Sequence, residues 1–379
     1  MADIRVFFAT NRNHQPANTK QVFGKAFNPD GVAALRFGRA DFAPDPAKPT
    51  LKDLHVYPDV LDEPDILKTG GGMFMDDLRK AMSFGPRCDT LVFIHGFNVS
   101  FTGALQAGAL LAQSLNVGGH PVNVVVFSWP SDGNAIPWMS YYSDREDARV
   151  SGPAIARAFL KFRDFVLALD AQDYCQRRVH LLAHSMGNYV LRHALQALRT
   201  KDRNSLTRLF DQIMLAAPDE DDDAFETDDK LRLLPRIGRQ VTVYFNPADK
   251  GLTVSDATKA NPDRLGSDGP RLVDLLPKKV ELVDCRAVAG DADPFVEHSY
   301  YLRSQAMSDD MSAVMSDTPL EEFPTAPSST ASAPGGWGAR PGSSRPVRPH
   351  RPGRRTRRAD KQKGPAVAGG TFMVGRRRR

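Results

Sequence analysis

Three short stretches of this chain carry the residue types of acyl-group chemistry: Phe93-Ile94-His95-Gly96-Phe97-Asn98, Leu181-Leu182-Ala183-His184-Ser185-Met186-Gly187-Asn188 and Glu297-His298-Ser299-Tyr300. A serine hydroxyl becomes a nucleophile when a histidine takes its proton and a carboxylate holds that histidine in place. The serine must also stand at a sharp strand-to-helix turn, which requires small residues two before and two after it. Ala183 and Gly187 meet that demand, with Ala183 adding one methyl group where glycine is usual.

The partners follow by chain order, nucleophile first, then acid, then base. Three histidines lie beyond Ser185. His193 is carried away from the turn by two turns of helix, at about 1.5 Å per residue, and His350 sits in a polar tail, which leaves His298 as the base. For the acid, Asp249 is the first choice because it follows the apolar run Val241 to Phe245 and so falls at a strand's carboxyl end, the ligand-binding edge of open α/β sheets. Asp219 ends the preceding apolar run in the same way and is the alternative. The oxyanion donors are expected to be the backbone N–H groups of Met186 and Phe97, with Gly96 letting the loop approach and Asn98 bracing it. His95 reads as a loop-bracing residue. The histidines lack the i, i+4 spacing with an intervening Glu that marks a metal helix, so neither metal nor organic cofactor is expected.

The elements that must position these groups alternate. Apolar runs at Leu91 to Ile94, Val122 to Phe127, Val179 to Leu182, Gln212 to Ala216, Val241 to Phe245 and Val280 to Val283 read as strands. Helical spacing appears over Thr102 to Leu115, Arg149 to Leu169 and Asn188 to Leu198. This alternation predicts an α/β fold, a mainly parallel sheet with helices on both faces. Residues 1–85 are expected to add edge strands (Ile4 to Ala9, Leu54 to Tyr57) and irregular connections to a catalytic core over 86–316. Trp129, Trp138, Tyr141 and Tyr142 lie on and after the second core strand and are candidates for lining a substrate pocket.

From 317 to 379 the chain is rich in Pro, Ser, Gly and Arg and cannot bury enough apolar surface to offset its ordering entropy, so a disordered tail is expected. Residues 340–379 hold twelve Arg and two Lys against one Asp, whereas the rest of the chain holds 36 basic against 44 acidic side chains. An acidic body therefore carries a basic tail. Arg354 to Arg358 and Arg376 to Arg379 fit weak, non-specific contact with nucleic acid or anionic membrane. Three widely spaced cysteines argue against a disulfide framework, and neither a signal peptide nor an apolar span of bilayer length is readable, so a cytoplasmic location is expected.

These motifs resemble a bacterial α/β-hydrolase family described as domain of unknown function 900, loosely associated with esterases and lipases. The resemblance extends to Ala9-Thr10-Asn11-Arg12, Phe127-Ser128-Trp129-Pro130-Ser131, Leu215-Ala216-Ala217-Pro218-Asp219 and Asp249-Lys250-Gly251-Leu252, and covers roughly residues 4 to 303. It implies an α/β-hydrolase fold, ester hydrolysis, a nucleophile at Ser185, an acid at Asp249 and a base at His298. Two positions depart from the family pattern, Pro247 in the turn before the acid and Glu297 before the histidine. Acyl transfer by the same triad, or a hydrolase scaffold whose tail binds polyanions, are the competing expectations. A chain ending between Arg303 and Met315 is expected to keep its activity.

Overall fold

The computed structural model describes residues 2–17, 22–58, 65–85, 89–131, 137–168, 177–201, 203–249, 252, 263–286, 288 and 297–318. Within them lie thirteen strands: β1 (Ile4–Thr10), β2 (Arg12–His14), β3 (Phe23–Phe27), β4 (Arg36–Ala43), β5 (Thr50–Val56), β6 (Thr90–Ile94), β7 (Asn116–Val117), β8 (His120–Pro121), β9 (Asn123–Ser128), β10 (Val179–His184), β11 (Phe210–Ala216), β12 (Gly238–Phe245) and β13 (Val280–Asp284). The longer helices are α1 (Gly70–Phe84), α2 (Phe101–Ser114), α3 (Pro137–Ala168), α4 (Gly187–Lys201) and α5 (Gln305–Ser316). Nine strands form one sheet in the order β13-β12-β11-β10-β6-β9-β1-β4-β5. From β13 to β1 neighbours run parallel, and β4 and β5 are added antiparallel.

The core strands form where the apolar runs require. β9 and β10 are buried along their whole length, as expected when helices cover both faces. Their side chains alternate between two cores. Leu181 and Ala183 join Val190, Leu191 and Leu195 of α4, whereas Leu182 faces the core holding Ala104 and Leu105 of α2 and Met307 and Met311 of α5. Successive side chains of a strand point to opposite faces, so one run supplies both layers.

Two features of the amino-terminal region differ from expectation. β1 is not an edge strand, because it pairs with β9 on one side and β4 on the other, and Val6, Phe7 and Phe8 are buried. The edge belongs to β5, whose lysine and histidine are exposed. The strand β4 and helix α1 are not visible as periodic patterns. Arg36, Arg39 and Asp41 interrupt β4, and α1 opens on Gly70-Gly71-Gly72 behind a Thr69 cap that accepts from Gly72 N–H at 3.1 Å. The tail 319–379, including Arg354 to Arg358, Arg376 to Arg379 and His350, lies outside the described residues.

Candidate active site

The site sits where the sheet changes direction of growth. From β6 the chain crosses by α2 to β9 on one side, and from β10 it crosses by α4 to β11 on the other, with α2 and α4 on opposite faces. A crevice opens between β6 and β10 at such a switch point. Register sets what meets there. Ile94 pairs with Ala183, and Ala183 with Leu215, so the loops after β6, β10 and β11 begin at the same height. Gly96 and Ser185 are accordingly neighbours. A side chain at Gly96 would come within 2.9 Å of Ser185 Cβ, and one at Gly187 within 2.6 Å of the Ile94 carbonyl oxygen. Both glycines are required by this close approach of two backbones.

Ser185 stands at the tip of the turn with φ of 51°, a left-handed conformation that an L-residue adopts at a cost of order 1–3 kcal/mol. Its N–H donates to Ala216 O at 3.0 Å, and its carbonyl accepts from Asn188 N at 3.0 Å and Asp219 N at 3.2 Å, so neighbouring backbone pins the strained residue. α4 starts two residues later. Among the described residues, the N–H groups of Met186 and Phe97 donate to nothing, which leaves two donors free beside the serine.

His298 lies in a single 3₁₀ turn, Glu297–Ser299, that leads into the helical turn Tyr300–Arg303. Its Nδ1 lies 2.9 Å from Asp249 Oδ2, and in the tautomer that donates this bond Nε2 is the acceptor. The Asp249 side chain is fully buried and that of His298 is 19% exposed. Asp249 is presented by a tight turn in which Asp249 N donates to Asn246 O at 3.0 Å and Ala248 N donates to Asn246 Oδ1 at 2.9 Å. Pro247 occupies the second position of that turn, where its fixed φ fits, and the carboxylate reaches the His298 ring. The Glu297 side chain lies outside the described set. No hydrogen bond joins Ser185 Oγ to the His298 ring among the described residues. Such contacts often form only with substrate in place.

Asp219, the alternative acid, is engaged elsewhere. It accepts from Tyr141 OH at 2.7 Å and is buried beneath the turn. Tyr141 packs edge-on against Phe97 at 5.7 Å and against Tyr142 at 6.2 Å, and Tyr142 is 56% exposed. These three rings make a wall next to the loop. Trp129 does not join it. It is fully buried, stacks on His95 at 5.2 Å and donates from Nε1 to His95 O at 2.9 Å, which corrects its placement in a pocket to a support beneath the loop. The side chain of Trp138 lies outside the described set.

The sequence left most of the bracing unread. Arg12 is wholly buried under the loop and donates to Ser128 Oγ (3.0 Å), Ser131 O (3.3 Å), Gly24 O (3.2 Å) and Val99 O (2.8 Å). Ser128 Oγ in turn reaches His95 Nε2 at 3.4 Å, and His95 Nδ1 donates to Gly96 O at 2.9 Å. Burial, with the Arg12 charge, pushes the His95 pKa down to about 3, so the ring is neutral and serves as a fixed prop. Asp144 of α3 accepts from Asn98 N at 3.1 Å and Ser131 Oγ at 2.5 Å and holds Asn98 at φ of 59°. His184 fills the space between loops. Its Nε2 donates to His298 O at 2.9 Å and its ring stacks on Tyr301 at 4.2 Å, and burial depresses its pKa. The runs Ala9-Thr10-Asn11-Arg12 and Phe127-Ser128-Trp129-Pro130-Ser131 thus converge under one loop, which only tertiary structure reveals.

A mainly parallel sheet with helices on both faces and a strand-turn-helix elbow at its switch point defines the α/β-hydrolase class. Within it, the chain belongs to the family described as "Alpha/beta hydrolase of unknown function (DUF900)", which matches residues 73–315. The match runs through α5, past the limit near 303 that the motifs alone indicate. A relative, the uncharacterized protein alr1448 of Nostoc sp., is 29% identical over 130 residues, covering 28% of this chain and 31% of the relative. The chain therefore spans about a third of the length of that relative. Among solved structures, a monoclinic form of an esterase from Pyrobaculum calidifontis is 13% identical, with 76% of this chain and 82% of that chain covered and a TM-score of 0.34. A second structure, of a hyperthermophilic esterase from the same archaeon, gives 13%, 76%, 83% and 0.33. Among the described residues no helix is long and apolar enough to cross a membrane, and no group of three or more His, Cys, Asp or Glu has the geometry of a metal site.

Proposed function

We propose that the chain is a serine hydrolase acting on carboxylic esters, with Ser185 as nucleophile, His298 as base and Asp249 as acid. The observation that carries this reading is the 2.9 Å bond from His298 Nδ1 to the buried Asp249, formed at the same sheet edge as the strained Ser185 turn and its two free N–H groups. In the first step Ser185 Oγ attacks the ester carbonyl and its proton passes to His298 Nε2. The resulting oxyanion accepts from Met186 N–H and Phe97 N–H. Asp249 stabilises the imidazolium, which then gives its proton to the departing alcohol oxygen, leaving an acyl group on Ser185. Water, deprotonated by His298, completes the cycle by releasing the acid.

Phe97, Tyr141 and Tyr142 supply an aromatic wall for part of the substrate. Acyl transfer uses the same residues, with another nucleophile in place of water, and product analysis separates the two. Contact of the Arg-rich tail with polyanions rests on its charge alone. The direct test is reaction with a fluorophosphonate probe followed by identification of the modified residue. Labelling at Ser185 that is lost in Ser185→Ala supports the assignment, and a folded, unreactive protein with no turnover of aryl esters removes it.

A further inference from the structure

At the opposite end of the sheet, where β10, β11 and β12 begin, the described residues line a pocket of about 310 Å³. That size lies within the roughly 300–1,000 Å³ of small-molecule sites. Its wall carries five guanidinium groups, Arg79, Arg177, Arg178, Arg208 and Arg239, and one carboxylate, Asp211. Asp211 is shared by Arg239 at 2.6 Å and Arg178 at 3.4 Å; Arg178 also pairs with Asp89 at 3.1 Å, Arg239 with Asp317 at 3.2 Å and Arg79 with Asp76 at 3.2 Å. Arg177 and Arg208 are exposed and form no ion pair with any described residue. The positive excess of the pocket therefore rests on Arg177 and Arg208, on a body that is acidic as a whole.

The floor has the opposite character. Met75, Leu78, Phe162, Val179, Leu209 and Phe210 form it, and the same six side chains also line an adjoining cavity of about 90 Å³ that runs under α1, α3 and α4. Thr90 is the one polar side chain in the described wall of that cavity. The helices feeding the pocket end on exposed apolar residues, Phe84 of α1 (82%) and Leu167 of α3 (76%). A small inorganic anion would leave this floor wet, and a neutral hydrocarbon would leave the guanidinium groups without a counter-charge. One chemistry satisfies both parts, a carboxylate that takes parallel N–H bonds from arginine and an alkyl chain that covers the apolar floor.

We propose that this pocket binds a fatty-acid anion, its carboxylate at Arg177 and Arg208 and its chain directed over Leu78 and Phe162 toward the apolar cavity. The site lies at the other end of the strands from Ser185, and the inference does not rest on the serine-hydrolase reading. Its test is calorimetric titration of the full chain with dodecanoate, hexanoate and inorganic phosphate, for the parent protein, the surface variant Arg177→Glu/Arg208→Glu, and the parent after treatment with the fluorophosphonate probe.

The expected result is one equivalent of dodecanoate bound, at least tenfold more weakly by the double variant, and at least tenfold more tightly than hexanoate by the parent. Phosphate should not compete at equal concentration. Probe treatment should leave the binding unchanged, whether or not Ser185 reacts. Equal affinity in parent and double variant, or binding lost only on labelling of Ser185, would place the ligand elsewhere and overturn the proposal. Phosphate binding as well as dodecanoate would reduce the pocket to a plain anion site. A folded parent that binds none of the three leaves no such site.

Discussion

Among the described residues two Asp–His pairs have a buried acid, one at each end of the same sheet, and their difference bears on what would let such a pair do chemistry. At the carboxyl ends, Asp249 meets His298 at 2.9 Å, the ring is partly exposed, and the strained Ser185 turn occupies the neighbouring loop. At the amino ends, Asp89 meets His180 at 3.3 Å, but the ring has no exposure at all. Asp89 also takes Arg178 N at 3.1 Å and Arg178 Nε at 3.1 Å. Burial would raise its pKa, yet the hydrogen bonds from His180 and the Arg178 backbone, with both charges, hold it below the usual range. The first pair has a partly exposed ring beside the turn that carries the proposed nucleophile. The second closes the strand starts and has no room for a substrate.

The sharpest way to break this contrast is to remove the nucleophile. Ser185→Ala should lower ester turnover by about 10⁴- to 10⁶-fold, the range seen when one member of a triad is deleted, while the fold is retained. A variant with full turnover would move the chemistry away from this edge. Next, Asp249→Asn keeps the shape of the proposed acid but loses the charge that would stabilise the imidazolium, an effect of about 10⁴-fold in the best-studied triad. Asp89→Asn removes the equivalent charge at the other end. It should cost about 1–3 kcal/mol of stability, the range for a disturbed buried polar group, with kcat of the folded protein changed less than threefold. Asp219→Asn, which weakens the bond from Tyr141, should fall between them. Assays of the three beside urea denaturation give the ranking, and an Asp89 variant as inactive as the Asp249 variant would dissolve the distinction.

A smaller effect is expected from the glycine that lets the two loops touch. Gly96→Ala places a methyl group 2.9 Å from Ser185 Cβ and 3.0 Å from His184 Nδ1, so the loop carrying Phe97 N–H must retreat by a few tenths of an ångström. The cost should appear in kcat more than in KM, at about 10²-fold, the size of losing one oxyanion donor. Unchanged kcat would mean that Phe97 N–H is not a donor.

Acid sensitivity comes next. His95 has a folded pKa of about 3 and an unfolded one near 6.5, because burial and Arg12 oppose its charging. The unfolded chain therefore binds the extra proton first. The contribution of His95 is intact above pH 6.5 and is lost as pH falls toward 3. Between pH 6.5 and pH 5.0 the loss is about 2 kcal/mol from this residue. Urea midpoints at pH 7.5 and 5.0 test it, and equal stability at the two values would show that His95 is not held neutral by its surroundings.

The sequence made the carboxyl edge legible because local rules govern it. An elbow needs small residues at fixed offsets from a serine, and of the three histidines that follow it helix geometry and tail composition leave His298, so the proposed nucleophile and base could be nominated without knowing the fold. The strands β6 and β9 to β13 were likewise visible as mainly apolar runs. The choice between Asp249 and Asp219 was not local, since both end apolar strands; in the structure His298, 49 positions from Asp249, meets that carboxylate, while Asp219 takes the hydroxyl of Tyr141, 78 positions away. The same holds for Arg12 and Asp144, whose partners are distant in the chain, and for Trp129, whose burial against His95 no window of sequence reports. Helix α1 was hidden by its three glycines and β4 by its charges. At both, tertiary packing overrode propensity.

The smallest effect on chemistry concerns the carboxyl-terminal region, and it divides at Thr318. Residues 319–379 hold none of the proposed triad residues and 14 basic against 3 acidic side chains, so a chain ending at Thr318 should keep ester turnover within twofold while its isoelectric point becomes acidic. Any salt-sensitive binding to DNA or anionic vesicles should go with them, because released counterions would drive it. A cut at Arg303 is another matter, although the motifs alone place the end of the family resemblance there. It removes α5, whose Met307, Met311, Val314 and Met315 are buried, and with it the bond from Tyr244 OH to Asp310 at 2.6 Å. At about 1.5–3 kcal/mol for each buried side chain, that loss is comparable with the 5–15 kcal/mol that holds an ordinary domain together. The shorter chain should therefore fail to fold, while the chain ending at Thr318 melts as the parent does. If the cut at Arg303 leaves a cooperative melt and full activity, α5 is not part of the hydrolase core. If the cut at Thr318 abolishes turnover, the tail takes part in the chemistry and the separation of acidic body from basic tail fails.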